Sequence, residues 1–342
     1  MGRRVDVVGS DGEKETRGVV YNASTGVWNS VHKSDAFSTL IFGINGNSLV
    51  GEYGDLDVTV EVVDGFTNTY TQSTYRGFLS TDGGSTLNTF NISGAAATIP
   101  YSVKGNLISG TYYTNTVSEP NWFYFTQRNS DGARGFVHNL SNGVTQTFAI
   151  SNAVATQATS LIHGTTNNLV VGTAYFDQGG SLSSSAFIYD LDSQTETLLD
   201  FPDAEFTTFF AGDNGRLVGA YAHDDNSLPN PRLGLGPEYE MGQVRGLLYE
   251  METGIWTSLS APDPLDSSRN TWADTWANSI EGDTIVGTAA YYNLAGASNP
   301  DPNDPNSWSI QAFVYTVPEP GSGALVVLGM GTLLMRRRRG TR

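Results

Sequence analysis

The sequence predicts an all-β protein built from repeated groups of strands. Glycine is abundant, with 39 in 342 residues, and only 15% of the residues are charged. Glycine costs about 1 kcal/mol relative to alanine inside a helix, so this composition disfavours helices and suits short strands joined by tight turns. Two short phrases also recur along the chain in strict alternation.

The first phrase, called the glycine phrase below, is a pair such as "VV" or "LV" followed by glycine. Its glycines are Gly9, Gly51, Gly110, Gly172, Gly219 and Gly287. The second, called the small-residue phrase, is a small residue followed by alternating apolar residues, as in "RGFVHN" and "QAFVYT". Its small residues are Gly18, Gly77, Gly135, Ala186, Gly246 and Ala312.

The spacing of the two phrases indicates a fixed structural unit. The sequence separation between Gly18 and Gly51 recurs unchanged between Gly77 and Gly110 and between Ala186 and Gly219. The distances from the glycine phrase to the next small-residue phrase vary widely. One half of each unit is therefore constant, whereas the other half contains a loop of adjustable length.

The constant half reads as two further strands. A turn such as "DGGS", "SNG" or "METG" follows the small-residue phrase, and an alternating stretch such as "TQTFAI" or "IWTSLSA" comes next. Period-two alternation bounded by turn residues is typical of β-hairpins. Four strands in roughly 50 residues, repeated six times, predict a β-propeller of about six four-stranded blades. A pair of β-sandwiches is the alternative, but sandwiches do not require this ordered alternation.

The repeat is incomplete at both ends of the sequence. Six phrases of each kind are accompanied by only five intervening strand pairs. Either the two ends pair to close the ring, or the first strands lie upstream of Met1. We expect the second arrangement, with an in-frame upstream extension.

Several of these phrases resemble a family of bacterial extracellular repeats called HAF repeats. The stretches "GNSLVGEY", "GRLVGAY" and "GDTIVGTA" match one part of that repeat, and "SAFIYD" and "QAFVYT" match another. The resemblance covers most of residues 5 to 316. It implies a propeller-like all-β body and an exported location, and it implies no settled activity.

The C-terminal segment differs from the rest of the chain. Val317, Pro318, Glu319 and Pro320 precede an apolar run at 321–335, and the run is followed by Arg336, Arg337, Arg338 and Arg339. As a helix the run would span about 22 Å, somewhat less than the hydrocarbon core of a bilayer. The arginines would remain in the cytoplasm. The sequence thus predicts a repeat domain over 1–316 and a membrane-targeting segment over 317–342. A buried apolar strand with a basic end is the alternative.

This three-part ending resembles the PEP-CTERM sorting signal of bacterial exported proteins. The resemblance implies that an exosortase-type transpeptidase recognises the chain and cleaves it near the motif. The body would then reside at the cell surface or in the extracellular matrix, after transient anchoring in the inner membrane. Such systems are commonly linked to exopolysaccharide. Export also requires a signal peptide, and "MGRRVDVVGSDGEKE" contains no apolar core of one, which agrees with an upstream extension.

Charge and cysteine content exclude several classes of function. The net charge of −17 repels a phosphate backbone, so no nucleic-acid partner is expected. The chain has no cysteine, which excludes disulfides and thiolate metal sites. The four histidines, His32, His138, His163 and His223, lack metal-ligand spacing. No catalytic motif is present, so the catalytic residues, if any, are unknown.

The variable loops provide the candidate ligand face. They follow the glycine phrases and would emerge together on one face of a propeller. Their aromatic residues stand beside Asn and Asp, a combination that suits sugars: Trp122, Tyr124, Tyr239, Tyr291, Tyr292 and Trp308. The alternative is that these aromatics pack the loops themselves.

Four loop aspartates, Asp224, Asp225, Asp301 and Asp304, could bind Ca²⁺, although their spacing is not that of a known calcium-binding loop. No other cofactor or metal is expected.

The sequence therefore favours an exported surface or matrix protein that binds polysaccharide through these loops. A polysaccharide-active hydrolase or lyase on the same scaffold is the first alternative, and a structural component without a ligand is the second.

Four arginines recur immediately before the small residue of the small-residue phrase, namely Arg17, Arg76, Arg134 and Arg245. A recurring position predicts a shared structural role, such as an ion pair at a blade edge, more than a ring of ligand-binding cations.

Overall fold

A computed structural model describes residues 5–8, 14–22, 24–63, 66–114, 132–162, 168–177, 179, 182–222, 244–260, 273–292 and 308–317. Within these residues the protein is all-β, with 22 strands and no helix, so the predicted all-β class is confirmed. No helix of this part of the chain could span a membrane. The apolar run at 321–335 lies outside the described residues.

The strands follow one another in short hairpins. They are β1 (Val5–Val8), β2 (Lys14–Asn22), β3 (Val27–Val31), β4 (Ser38–Asn45), β5 (Ser48–Val63), β6 (Phe66–Ser80), β7 (Asn88–Phe90), β8 (Ala97–Lys104), β9 (Leu107–Tyr113), β10 (Ala133–Asn139), β11 (Thr145–Phe148), β12 (Ala155–Leu161), β13 (Leu169–Asp177), β14 (Leu182–Asp190), β15 (Thr195–Leu199), β16 (Phe206–Asp213), β17 (Arg216–Ala222), β18 (Arg245–Glu250), β19 (Ile255–Leu259), β20 (Ala273–Glu281), β21 (Thr284–Tyr292) and β22 (Trp308–Thr316).

These strands form six units. Units 2 to 5 are four-stranded and antiparallel, and they comprise β4–β7, β8–β11, β12–β15 and β16–β19. In each we call the strands inner, second, third and outer, in chain order. Unit 1 (β1–β3) contains a second, a third and an outer strand, and unit 6 (β20–β22) contains an inner, a second and a third strand. Single parallel pairings, Thr16 with Ser38 and Ser184 with Phe206, join unit 1 to unit 2 and unit 4 to unit 5.

A β-bulge in every inner strand explains the glycine phrase. The register shifts at Ile41/Gly43, Pro100/Ser102, Ala158/Ser160, Phe209/Ala211 and Ala277/Ser279. At each bulge a carbonyl of the inner strand lies over the glycine of the second strand. A Cβ on Gly219 would overlap the Thr208 carbonyl oxygen, and one on Gly287 would overlap the Trp276 carbonyl oxygen. Only a residue without a side chain fits there.

Gly9, the glycine of the first predicted glycine phrase, lies outside the described residues, so the prediction there is not tested. The strand before it, β1, pairs Val5 with Arg17 and Val8 with Lys14 of β2.

The apolar core lies in layers between consecutive units. Val50 of unit 2 packs with Ile108 and Phe136 of unit 3, and Val137 of unit 3 packs with Phe187 of unit 4. Equivalent clusters occupy the space between units 1 and 2, between units 4 and 5, and between units 5 and 6. Burial of these side chains between the faces of neighbouring sheets is the main favourable contribution to folding.

Hydrogen bonds between turns align the units. The inner strands of units 2 to 6 are neighbours in chain order. Asn45 accepts a hydrogen bond from the Gly105 amide at 3.2 Å, Lys104 donates to the Ile162 carbonyl, and Asp213 accepts from the Gly282 amide at 2.7 Å. Together with the parallel pairing of β14 and β16, these contacts place the turns between inner and second strands at the same end of the neighbouring units. We call this end of the units the turn end. The connections from second to third strands leave from the opposite, loop end.

We expect Gly219→Ala to reduce the free energy of unfolding by at least about 2 kcal/mol, because its Cβ would overlap a backbone carbonyl that cannot move without breaking the bulge. Gly246→Ala on the adjacent strand is the matched control. Its Cβ would meet no atom closer than 3.2 Å, and units 4 and 6 have Ala186 and Ala312 at that position. Urea unfolding followed by tryptophan fluorescence measures both. Equal effects of the two variants would contradict the proposed role of the bulge.

Candidate functional site

A cluster of polar side chains joins units 2, 3 and 4 near the inner strands. It consists of Glu52 on β5, Tyr101 on β8, Tyr113 on β9, Gln157 on β12 and Tyr175 on β13. The Gln157 amide donates a hydrogen bond to the Tyr101 hydroxyl at 3.2 Å, and the Tyr175 hydroxyl donates to the Gln157 oxygen at 3.5 Å. Glu52 is close enough to Tyr101 and Tyr113 to influence their ionisation electrostatically. We call this set the central polar cluster.

The β-bulges bring the side chains of this cluster together. Tyr101 is the extra residue of the bulge in β8, and its ring lies 5.1 Å from that of Phe42, the extra residue of the bulge in β4. The extra residue of β12, Thr159, donates a hydrogen bond to the Phe209 carbonyl of β16 at 2.7 Å. An extra residue lacks a backbone partner in the ladder of its own sheet, and in β4, β8 and β12 its side chain contacts the next unit.

Glu52 occupies a position that other units use for contacts between units. It directly follows the glycine of its second strand, as Thr111 does in unit 3 and Thr173 in unit 4. The Thr111 hydroxyl accepts a hydrogen bond from the Ala158 amide at 3.1 Å, and the Thr173 hydroxyl bonds that of Thr208. Sequence reasoning missed Glu52. The sequence held one signal for this carboxyl group: the glycine phrase of unit 2 reads "VGE", whereas those of units 3 to 6 read "SGT", "VGT" or "VGA".

Burial keeps the central polar cluster uncharged at neutral pH. Glu52 is 1% exposed, and neither of its carboxyl oxygens has a hydrogen-bond partner in the described part of the chain. Desolvation raises the pKa of Glu52 to about 8, so the carboxyl group is protonated at pH 7. Burial also raises the pKa of Tyr101, Tyr113 and Tyr175, and for Tyr113 the charge that Glu52 acquires on ionisation adds to the effect.

The cluster extends towards the loop end. Tyr113 is the last residue of β9, and Tyr175 lies two residues before the end of β13. The long connection at 115–131 therefore starts two residues beyond Tyr113. Chemically, the cluster offers hydroxyl, carboxyl and amide groups that donate and accept hydrogen bonds without carrying a net charge.

Of the predicted ligand face, the described residues include only the part in unit 6. The backbones of Tyr291 and Tyr292 end β21, and that of Trp308 begins β22. Tyr292 pairs with Trp308, so these two positions are adjacent at the loop end. The other predicted positions lie outside the described residues: Trp122, Tyr124, Tyr239, Asp224, Asp225, Asp301 and Asp304. The described residues contain no group of three or more His, Asp or Glu side chains that could hold a metal ion.

Val317 is the only part of the predicted sorting motif that the structure describes. Its side chain is buried between units 5 and 6, and its amide donates to the Asp283 carbonyl at 2.7 Å. Pro318, Glu319 and Pro320 lie outside the described residues, as do Arg336, Arg337, Arg338 and Arg339.

The described histidines and recurring arginines make local contacts. The His138 Nδ1 lies 2.8 Å from the Thr145 hydroxyl, the ring packs edge-on to Phe90, and burial lowers its pKa. Arg134 and Arg245 each donate to the carbonyl of the preceding residue, at 2.9 and 3.2 Å. Arg76 forms an ion pair with Asp55, with 3.5 Å between the nitrogen and the oxygen.

Comparisons with known proteins give only distant structural similarity. No protein-family model and no curated protein matches the sequence. Among solved structures, the chain is similar to Porphyromonas gingivalis dipeptidyl peptidase 4, with a TM-score of 0.38, 9% identity and coverage of 85% of this chain and 44% of the other. It is similar to a mutant Trypanosoma rangeli sialidase that displays trans-sialidase activity, with a TM-score of 0.37, 9% identity and coverage of 92% and 51%.

A puromycin-hydrolysing peptidase of Mycobacterium tuberculosis has a TM-score of 0.33 and 10% identity, with coverage of 84% of this chain and 50% of the other. The chain thus spans about half the length of these proteins. TM-scores below 0.5 are too low to support an inference about activity.

Glu52→Gln tests the protonation state of the cluster. A carboxyl group with a pKa near 4.5 when unfolded and about 8 when folded contributes stability that is complete below pH 4.5 and is lost as the pH rises to 8. We therefore expect the free energy of unfolding of the variant to rise relative to wild type between pH 5 and pH 8.5, by up to about 5 kcal/mol.

Urea unfolding at pH 5, 7 and 8.5 measures this difference. The control is Glu205→Gln, a change of the same kind at an exposed position. Parallel pH profiles for wild type and Glu52→Gln would contradict the raised pKa.

Proposed function

We propose that the chain is an exported six-bladed β-propeller that binds polysaccharide at its loop end. The blade arrangement is supported by three features. The units repeat the same antiparallel strand order, their inner strands are neighbours in chain order, and apolar layers lie between consecutive sheets. Units with these relations radiate from their inner strands, as blades do around an axis.

One observation carries the binding proposal: the connections from second to third strands leave at the loop end, where Tyr292 pairs with Trp308. Glu52, Gln157 and Tyr175 of the central polar cluster are buried, so they would support this end rather than contact the ligand. Sugars present many hydroxyl groups and apolar C–H faces, which match uncharged hydrogen-bonding groups and aromatic rings. The net charge of −17 disfavours an anionic ligand, so the proposed ligand is a neutral polysaccharide.

The proposed location is the cell surface or extracellular matrix, reached through an exosortase-type partner. It is supported by the motif, the apolar run and the arginine cluster within 317–342. The Val317 side chain is buried between units 5 and 6. Cleavage after Val317 would therefore leave the six units and the apolar layers between them intact.

A polysaccharide-active hydrolase is the second candidate. The observation in its favour is Glu52, because a carboxyl group with a pKa of about 8 remains protonated at pH 7 and can serve as a general acid. The carboxyl is buried, so a substrate would first have to displace the side chains around it.

We expect Trp308→Ala and Trp122→Ala to weaken binding of a neutral polysaccharide at least about fivefold, because each loses an aromatic face worth about 1 kcal/mol. Glycan arrays would identify the ligand, and titration calorimetry would give the affinity. Trp28→Ala is the control, since Trp28 is 62% exposed on the outer strand β3, away from the loop end. Equal losses in all three variants would overturn the assignment. Release of reducing ends that fails in Glu52→Gln would favour the hydrolase.

We expect an exosortase-containing host to shorten the full-length chain by its C-terminal segment, and Glu319→Ala to prevent this. The uncleaved variant should remain in the inner-membrane fraction, because the apolar run and the arginines would still hold it there. Intact-mass measurement of the fractions gives the result. The control is Glu252→Ala, a change of the same kind at an exposed turn of the body. Equal processing of Glu319→Ala and wild type would contradict the sorting proposal.

A further inference from the structure

A hydrogen bond beside the glycine phrase joins unit 3 to unit 4. Thr111 directly follows Gly110, and its hydroxyl accepts a hydrogen bond of 3.1 Å from the Ala158 amide. Ala158 is the residue at which the inner strand β12 shifts register. The bond therefore connects the position after the glycine of one unit to the bulge of the next.

The same two positions in units 2 and 3 are occupied by Glu52 and Pro100. Glu52 directly follows Gly51, and Pro100 is the residue at which β8 shifts register. Proline has no amide hydrogen, so Pro100 cannot donate the bond that Ala158 donates. The other inner strands carry residues with an amide hydrogen at this position: Ile41, Ala158, Phe209 and Ala277.

The proline ring lies where the missing amide hydrogen would point, beside Glu52. Gly77 is the partner of Glu52 in the ladder between β6 and β5. A Cβ on Gly77 would lie 2.6 Å from the Cδ of Pro100, the ring atom that replaces the amide hydrogen. Both carboxyl oxygens of Glu52 are buried and have no hydrogen-bond partner among the described residues.

Charged and titratable groups around Glu52 do not replace this donor in the described part of the chain. The described residues of the surrounding strands contribute Tyr53 and Asp55 on β5, Tyr75 and Arg76 on β6, Tyr101 and Lys104 on β8, Tyr112 and Tyr113 on β9, and Tyr175 and Asp177 on β13, whereas β4 and β12 contribute none. The two cations bind elsewhere, Arg76 to Asp55 and Lys104 to the Ile162 carbonyl. Desolvation therefore raises the pKa of Glu52 to about 8.

We propose that Glu52 and Pro100 form a pH-sensitive switch between units 2 and 3. Pro100 withholds the hydrogen bond that would stabilise an ionised carboxyl group, so the contact between these units is intact while Glu52 is protonated and weakens when it ionises. Because the folded pKa lies above the unfolded value of 4.5, this contribution to stability is complete at low pH and is lost as the pH rises through about 8. The switch goes beyond the proposed function and does not depend on the ligand.

Infrared difference spectra of the full-length protein between pH 6 and pH 10 test the role of Pro100. The band of a protonated carboxyl group that wild type loses in this range, and that Glu52→Gln lacks, belongs to Glu52. We expect Pro100→Ala and Pro100→Val to lower the pH of this loss by at least about one unit, because the restored amide can donate to the ionised group. Both variants should fold, since alanine and isoleucine occupy the position in other units. Pro202→Ala, at an exposed turn, is the matched control and should leave the loss unchanged.

Hydrogen exchange followed by mass spectrometry shows where the structure weakens. Between pH 7 and pH 9.5, exchange in β5 and β8 should accelerate at least about fivefold more in wild type than in Glu52→Gln. Comparison of the two proteins at each pH removes the intrinsic pH dependence of exchange. β16 and β17 of unit 5 should behave alike in both proteins.

Any of three results would rule out the switch. Ionisation of Glu52 at the wild-type pH in both Pro100 variants would show that the proline does not control it. A Glu52 carboxyl group that is already ionised at pH 6 would show that another group stabilises the charge. Equal acceleration of exchange in units 2, 3 and 5 would show a global loss of stability instead of a local change between units 2 and 3.

Discussion

The contact between a bulged inner strand and a glycine of the neighbouring strand determines the geometry of units 2 to 6. At each bulge a carbonyl oxygen lies where a Cβ would be, so the second strand can approach only with glycine at that position. The bulge also leaves one residue without a backbone partner in its ladder, and in units 2 to 4 that residue contacts the next unit, as Tyr101 contacts Gln157 and Thr159 contacts Phe209. The same local irregularity therefore shapes each unit and connects it to its neighbour.

The central polar cluster is a consequence of this arrangement. Side chains that project from bulges and from positions after the glycine converge where units 2, 3 and 4 meet. In units 3 to 6 the position after the glycine carries threonine or alanine. Glu52 instead places a carboxyl group without a described partner in a buried environment, where desolvation favours the neutral form. A group that lowers stability as the pH rises is more typical of a functional site than of a structural one.

The sequence by itself determined the all-β class, the strand order of the repeated unit and the positions of the five glycine phrases that the structure describes, because period-two alternation and turn residues are local signals. Only the tertiary structure showed why glycine is needed there, since the bulged carbonyl that approaches each glycine belongs to another strand. The central polar cluster was also beyond prediction. Glu52, Tyr101, Tyr113, Gln157 and Tyr175 are far apart in the sequence and are individually ordinary. Their burial and proximity arise only when three units pack side by side.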